Sequence, residues 1–248
     1  MVDKMSLTAR AIVIEGHQAS ESGYDFLCSS SNMVNNAFTV EKYKAMTPEK
    51  VQAEMVKLKI RWNYPWQGMQ QDLATGLKKS AYPTTNPLAR IACAISHYKI
   101  WKVCATLNEP ILIMEHDAFF TQRLSPYYNI LDDTRFDIIG LNTPLGNTRR
   151  AQAFFDKRNA TKDLSLKRYL INTDVVPVPT IDNFDVPQGL AGNSAYIIKP
   201  NGARNLIVAV QRYGLWPNDA IMCKQLIPRM GVTHGDFTDT QQIASTTT

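Results

Sequence analysis

The run Ile111-Leu112-Ile113-Met114 constrains this chain more than any other segment. Four consecutive apolar residues are too few for a helix and offer no polar face, so they read as a buried strand. The strand is preceded by a capped helix. Asn86-Pro87 opens it, Leu88, Ile91, Ala92, Ile95 and Tyr98 form one apolar face at 3/4 spacing, and Asn108-Glu109-Pro110 closes it near Leu107. The strand stops at Glu115-His116-Asp117. In open α/β sheets ligands bind beyond the carboxyl ends of the strands. Two carboxylates at i and i+2 in that position either straddle a ligand, holding a hard divalent cation such as Mn²⁺ or Mg²⁺ together with phosphate oxygens, or are two solvated acids of a turn.

The same alternation runs along the chain. Ala9 to Ile14 reads as an opening strand, followed by a loop over Gly16 to Ser22 and a helix reaching Met33. Phe38 to Val40 is expected as a second strand. Thr47-Pro48-Glu49 starts a helix carrying Val51, Met55 and Leu58, and residues 61 to 86 read as irregular and aromatic-rich. Strands are expected at Phe136 to Leu141 and Ser194 to Lys199. Pro200 opens a helix that ends at Gly214, and Pro217 opens a last one through Leu226. Strands alternating with helices predict a layered α/β domain. No compositional shift marks a linker, so residues 1–248 are read as one domain with a fraying tail from Ile243.

Composition narrows the class. With 44% hydrophobic and 20% charged residues among 248, the chain is of ordinary globular type. No stretch approaches the roughly 20 apolar residues of a membrane-spanning helix. The polar start, Met1 to Arg10, has no signal-peptide core, which leads us to expect a cytoplasmic protein, at most peripheral to a membrane. Cys28, Cys93, Cys104 and Cys223 form no CxxC or zinc spacing. Cys93 and Cys104 lie on one helix about 16 Å apart at about 1.5 Å rise per residue, beyond disulfide reach. They read as buried thiols.

The net charge of +5 is concentrated between Thr148 and Leu170, where Arg149, Arg150, Lys157, Arg158, Lys162, Lys167 and Arg168 face only Asp156 and Asp163. Such a segment is either a solvated surface or a landing site for an anionic partner. Phe154, Phe155 and Tyr169 interleave it, as a nucleic-acid-binding stretch would require, but no helix-turn-helix, zinc or RNP signature accompanies them.

Three blocks together carry a resemblance. Ala92-Cys93-Ala94-Ile95-Ser96-His97-Tyr98-Lys99-Ile100-Trp101 followed by Ile111 to Ala118 resembles the G-C-x-x-S-H, apolar strand and E-D-D pattern of glycosyltransferase family 25, the lipopolysaccharide-type and collagen-galactosyltransferase-like enzymes. Gly192-Asn193-Ser194-Ala195-Tyr196 through Gly202-Ala203 resembles its G-x-x-A-Y block, and Trp216-Pro217-Asn218-Asp219-Ala220 its P-x-D segment. The blocks span about a quarter of the chain. Ala92 stands where the family has Gly, and His116 replaces the middle acid. Ile14-Glu15-Gly16-His17 stands in place of the family's Asn-Leu-Asp-Arg-like run.

The resemblance implies a nucleotide-sugar transferase fold of GT-A-like type, layered with flanking helices. It implies a Mn²⁺- or Mg²⁺-dependent transfer from a nucleotide sugar, most simply a UDP-sugar, with inversion. Glu115, His116 and Asp117 would face the metal, although His116 would equally suit a phosphate hydrogen bond or point away. Ser96, His97, Glu115, Asn193 and Ser194 would meet the donor; for His97 a core role is the alternative. Asp219 would be the base, or else a stabilising first-turn acid whose pKa the helix dipole lowers. Arg149, Arg150, Lys157 and Arg158 would meet the acceptor, either a saccharide or lipopolysaccharide or an anionic polymer such as hydroxylated phage-type DNA. A non-catalytic sugar- or nucleic-acid-binding relative is the competing expectation.

Overall fold

The computed structural model describes residues 7–124, 129–148, 150–160 and 175–243. Arg149, Lys162, Lys167, Arg168 and the tail beyond Ile243 lie outside them. In chain order, β1 (Thr8–Val13) leads to α1 (Gln18–Met33) and β2 (Val40–Lys44). A 3₁₀ turn, Pro48–Lys50, runs into α2 (Val51–Leu58), and β3 (Met69–Gln71) and β4 (Lys78–Ser80) precede α3 (Pro87–Leu107) and β5 (Ile111–Glu115). Next come β6 (Ala118–Phe120), α4 (Asn129–Asp132), β7 (Ile138–Gly140), α5 (Ala151–Ala160), β8 (Val175–Pro177) and β9 (Ala195–Ile198). The described chain closes with α6 (Pro200–Tyr213), the single turn α7 (Asn218–Ile221), β10 (Met230–Thr233) and β11 (Thr238–Thr240).

Seven strands form the main sheet in the order β2-β1-β5-β9-β7-β10-β8. Strands β2, β1, β5, β7 and β10 run one way, while β9 and β8 are antiparallel to their neighbours. The alternation along β5 explains the two-sided burial. Ile111 and Ile113 join a cluster with Ile95, Trp101 and Leu206 of α3 and α6; Leu112 and Met114 join a second cluster with Leu27 of α1. Each strand residue thus serves one face, and helices cover both faces. Helix α6 approaches closely at its first turn, where a Cβ on Gly202 would lie 2.8 Å from the Asp137 carbonyl oxygen.

The long helix α3 starts and ends as its sequence predicts. The Asn86 side chain accepts from Ala89 N at 3.1 Å, Pro87 occupies the first position, and Asn108 closes it in the left-handed conformation at φ 57°. Five expectations change. The loop expected over Gly16 to Ser22 is cut short, because α1 begins at Gln18 with the His17 side chain accepting from Ser20 N at 3.3 Å. The second strand lies at Val40–Lys44, not Phe38 to Val40. It pairs in register with β1 at the sheet edge, where Glu41, Lys42 and Lys44 are exposed and only Val40 is fully buried, so no apolar run marks the strand. Thr47 makes no side-chain cap, and the chain takes a 3₁₀ turn before α2. The helix expected from Pro217 to Leu226 is only one turn, because Cys223 leaves it to bridge Gly189. Residues 61–86 contain the β3–β4 hairpin. It is anchored by an ion pair between Lys79 Nζ and Asp72 Oδ2 at 2.7 Å, with both side chains buried and Lys79 lying over the Trp216 ring.

Candidate active site

Strands β1 and β5 are parallel neighbours with Ile12 opposite Glu115, so the residues after both strands emerge on the same edge of the sheet. There, Glu115, His116 and Asp117 meet Glu15, Gly16 and His17 after β1, and Ala45 and Met46 after β2. Helix α3 supplies a second wall: Asn86, Ala89, Arg90, Cys93, Ser96 and His97 recur at three- and four-residue spacing. Asn193, Asn218 and Asp219 close a cavity of about 630 Å³, within the range of small-molecule sites. The structure therefore brings Glu115, His116, Asp117, Ser96, His97, Asn193 and Asp219 around one space.

His97 and Glu115 form the centre of a chain of hydrogen bonds. Trp101 Nε1 donates to the Tyr196 hydroxyl at 2.8 Å; that hydroxyl stands 2.8 Å from His97 Nδ1, and His97 Nε2 stands 3.0 Å from Glu115 Oε1. Indole is only a donor and an ionised carboxylate only an acceptor, so one arrangement satisfies every atom. Tyr196 donates its proton to Nδ1, and Nε2–H donates to Glu115. Burial works against ionisation of Glu115, but contacts with His97, His116 and Asn218 outweigh it and hold the carboxyl below its ordinary pKa.

Asp117 has the opposite character. Burial, and then the neighbouring Glu115 charge, push it up to about 7. Its Oδ1 is buried without a hydrogen-bond partner. An orphaned carboxylate oxygen beside a second, ionised carboxylate fits a hard divalent cation. Cys93, His97 and Glu115 also place one ligand atom each within 4.8 Å of the others. Both His97 nitrogens are engaged, however, and burial raises the Cys93 thiol well above its usual pKa, so the carboxylate pair is the better match. Burial likewise lowers His116, whose ring engages the Ile12 backbone.

The acid loop is held from behind. Gly23 of α1 packs so closely that a Cβ there would lie 2.7 Å from the His116 carbonyl oxygen. Gln241 N donates to Asp117 O at 2.7 Å, and its Nε2 lies 3.0 Å from both the Gly23 and Ala118 carbonyls and 3.3 Å from that of His116.

Asp219 lines the same cavity as the acid loop. The expectation that a helix dipole lowers its pKa is corrected: α7 is one turn long, and burial raises the carboxyl although Arg90 and Tyr82 pull the other way. With its amide oxygen turned toward α7, Asn193 accepts from Asp219 N at 3.0 Å and donates to Gly192 O at 3.2 Å. Ser96 lines the cavity, but its hydroxyl is engaged with Ala92 O at 2.8 Å and Met46 N at 2.9 Å. Ser194 lies outside the lining, with its hydroxyl accepting from Asn142 at 2.6 Å.

Among the described residues, Arg150, Lys157 and Arg158 do not join this cavity. Arg158, only 2% exposed, forms an ion pair with Asp236; Arg150 pairs with Asp182; and Lys157 donates to Thr180 O at 2.6 Å. Arg158 is thus a buried structural cation, which corrects its reading as an acceptor contact, since burial leaves no surface for a partner. Sequence reasoning also missed Arg90, Tyr196 and Gln241. Tyr196 stands in a block that resembles the family, whereas Gln241 carries no local signal.

A mixed α/β sheet flanked by helices, with an acid-lined cavity at the carboxyl ends of its parallel strands, defines a ligand-binding α/β protein. The model of glycosyltransferase family 25 (LPS biosynthesis protein) matches residues 37–222. The chain belongs to that family and is a glycosyltransferase. No curated protein matches it. The matched region includes α3, the acid loop, Asn193 and Asp219; Glu15, His17 and Gln241 lie outside it. Among the described residues no helix is long and apolar enough to cross a membrane.

Proposed function

We propose that the chain transfers a sugar from a nucleotide-sugar donor, most simply a UDP-sugar, to an acceptor hydroxyl with inversion, on a GT-A-like scaffold. The observation that carries this reading is the buried Asp117 Oδ1 left without a hydrogen-bond partner beside Glu115, in a cavity that Asp219 also lines. Glu115 and Asp117 would hold Mn²⁺ or Mg²⁺, which would offset the charge developing on the leaving diphosphate.

The remaining roles belong to the chain. Asp219 accepts the acceptor hydroxyl proton as that oxygen bonds to the anomeric carbon and the sugar–diphosphate bond breaks. Its raised pKa suits a base better than an ordinary carboxylate would, because burial strengthens its proton affinity. The Arg90 guanidinium lies in the same cavity, and its buried Nε lacks a partner, as suits a group awaiting an anionic ligand. His97 holds Glu115 in orientation.

The test is a screen of nucleotide sugars for Mn²⁺-dependent hydrolysis and thermal stabilisation. One donor hydrolysed with Mn²⁺ and not with EDTA is the expected result. Binding without hydrolysis for every donor would favour a non-catalytic relative, and no binding would remove the proposal.

A further inference from the structure

One face of α3 carries ligand types that the carboxylate pair does not use. Cys93 and His97 are four residues apart on the helix, so their side chains stand one above the other on the same face. Strand β5 ends against that face, with Glu115 Oε1 3.0 Å from His97 Nε2. The Cys93 sulfur, a His97 ring nitrogen and a Glu115 oxygen all lie within 4.8 Å of one another, the only such group of Cys, His, Asp or Glu side chains among the described residues. All three residues line the cavity.

Thiolate, imidazole and carboxylate are the ligand types of Zn²⁺, whereas Mn²⁺ and Mg²⁺ favour oxygen alone. Zinc bonds of about 2.3 Å to sulfur and about 2.0–2.2 Å to nitrogen and oxygen place tetrahedral ligand atoms about 3.3–3.6 Å apart. The trio therefore needs an adjustment of about 1 Å. Glu115, with a side chain 29% exposed, supplies the movement, while Cys93 and His97 ride on one rigid helix. The thiol is held only loosely, by a contact of 3.8 Å with Asn218 Oδ1. Three protein ligands leave a fourth position open to the cavity. Glu115 belongs to this trio and also to the carboxylate pair with Asp117, so an ion of one kind takes a ligand from the other.

We propose that Cys93, His97 and Glu115 form a site for a thiophilic divalent cation of the Zn²⁺ type, and that filling it inhibits the enzyme by withdrawing Glu115 from the hard cation. The inhibition rests on the hard-cation reading given under the proposed function; binding needs the trio alone. On binding, the thiol proton passes to solvent and His97 carries its ring proton on Nδ1, since Nε2 faces the ion. The Tyr196 hydroxyl then accepts from both Trp101 and His97, and its own proton loses its acceptor. That loss weakens the site relative to a structural zinc centre, which makes the ion a reversible inhibitor and not a resident one.

The test titrates the reduced full chain with Co²⁺ alone, a spectroscopic substitute for Zn²⁺, and follows the near-ultraviolet sulfur-to-cobalt charge-transfer band. The band is expected in the wild type and in Cys28→Ser and is expected to vanish in Cys93→Ala, whose folding is checked by thermal unfolding without metal. Zn²⁺ is expected to bleach the wild-type band, because thiolate ligands favour it. In donor hydrolysis with Mn²⁺, the Zn²⁺ concentration giving half inhibition is expected to rise with Mn²⁺ concentration. It is expected to rise about tenfold or more in Cys93→Ala, each protein being compared with its own rate in Mn²⁺ alone. A wild type without the band, or a band unchanged in Cys93→Ala, would overturn the site. Zn²⁺ inhibition indifferent both to Mn²⁺ and to Cys93→Ala would overturn the shared carboxylate. If no donor is turned over with Mn²⁺ while the band forms and depends on Cys93, the hard-cation reading falls and takes the inhibition with it, and the thiophilic site stands.

Discussion

The Tyr196 hydroxyl stands 2.8 Å from His97 Nδ1, so a buried tyrosine on the central sheet fixes which nitrogen of the cavity-lining histidine carries the proton. Removing that hydroxyl strands two groups, the Trp101 indole N–H and His97 Nδ1. Tyr196→Phe should therefore lower unfolding free energy by about 1–3 kcal/mol, the usual loss when a buried polar partner is deleted. Denaturant unfolding measures that loss. In the same variant the ¹⁵N shifts of His97 should show a mixture of tautomers, which a purely structural tyrosine would not produce.

Asp117→Asn removes a buried carboxyl that Glu115 repels. Its melting temperature should match or exceed that of the wild type, while transfer and Mn²⁺-dependent donor binding disappear. Wild-type activity that persists in EDTA would refute the metal assignment.

Asp219→Asn should reduce turnover by about 10²–10⁴-fold with donor affinity nearly intact, the typical worth of a general base. The base works only when ionised, so activity is lost as pH falls through the Asp219 pKa. Because burial raises that pKa, the acidic limb of kcat/KM should lie above the ordinary carboxylate range. At saturating Mn²⁺, which keeps Asp117 ionised, the limb should be missing from the residual rate of the Asn variant. A pH–rate profile of both proteins decides the matter.

Gln241→Ala deletes the amide that bridges the Gly23, His116 and Ala118 carbonyls. The apparent Mn²⁺ affinity should fall about 10–100-fold, as for other groups that orient metal ligands, with turnover at saturating metal much less affected. Activity titrated against Mn²⁺ gives both quantities.

Lys79→Met leaves Asp72 buried without its counter-charge and should cost about 3–5 kcal/mol. The double variant Lys79→Met, Asp72→Leu should recover a large part of that loss in thermal unfolding.

How much of this could be read from the residues depended on whether a signal was local. Helix α3 was legible because Asn86, Pro87 and Asn108 act within one turn of its ends. The acid loop was legible because a short apolar strand stops abruptly at Glu115. Strand β2 was not, since an edge strand with one wet face carries no apolar run. The β3–β4 hairpin looks irregular in sequence because its anchor is a buried ion pair whose two partners look like surface residues there. The direction of the Asp219 shift followed the length of α7 and the depth of burial, neither of which Pro217 alone reveals. The pairing of Arg150 and Arg158 depends on Asp182 and Asp236, carboxylates brought in from distant parts of the chain.

The bond from Gln241 to the His116 carbonyl spans 125 residues of sequence. During synthesis the apolar strand and both acids leave the ribosome long before the glutamine that secures them, so the nascent chain passes through a stage with the carboxylates present and their loop unclamped. Closure over so long a separation is slow compared with forming a helix such as α3. Competence to bind metal should therefore appear late in refolding, after most helical signal has returned, and the delay between the two would time the arrival of one side chain.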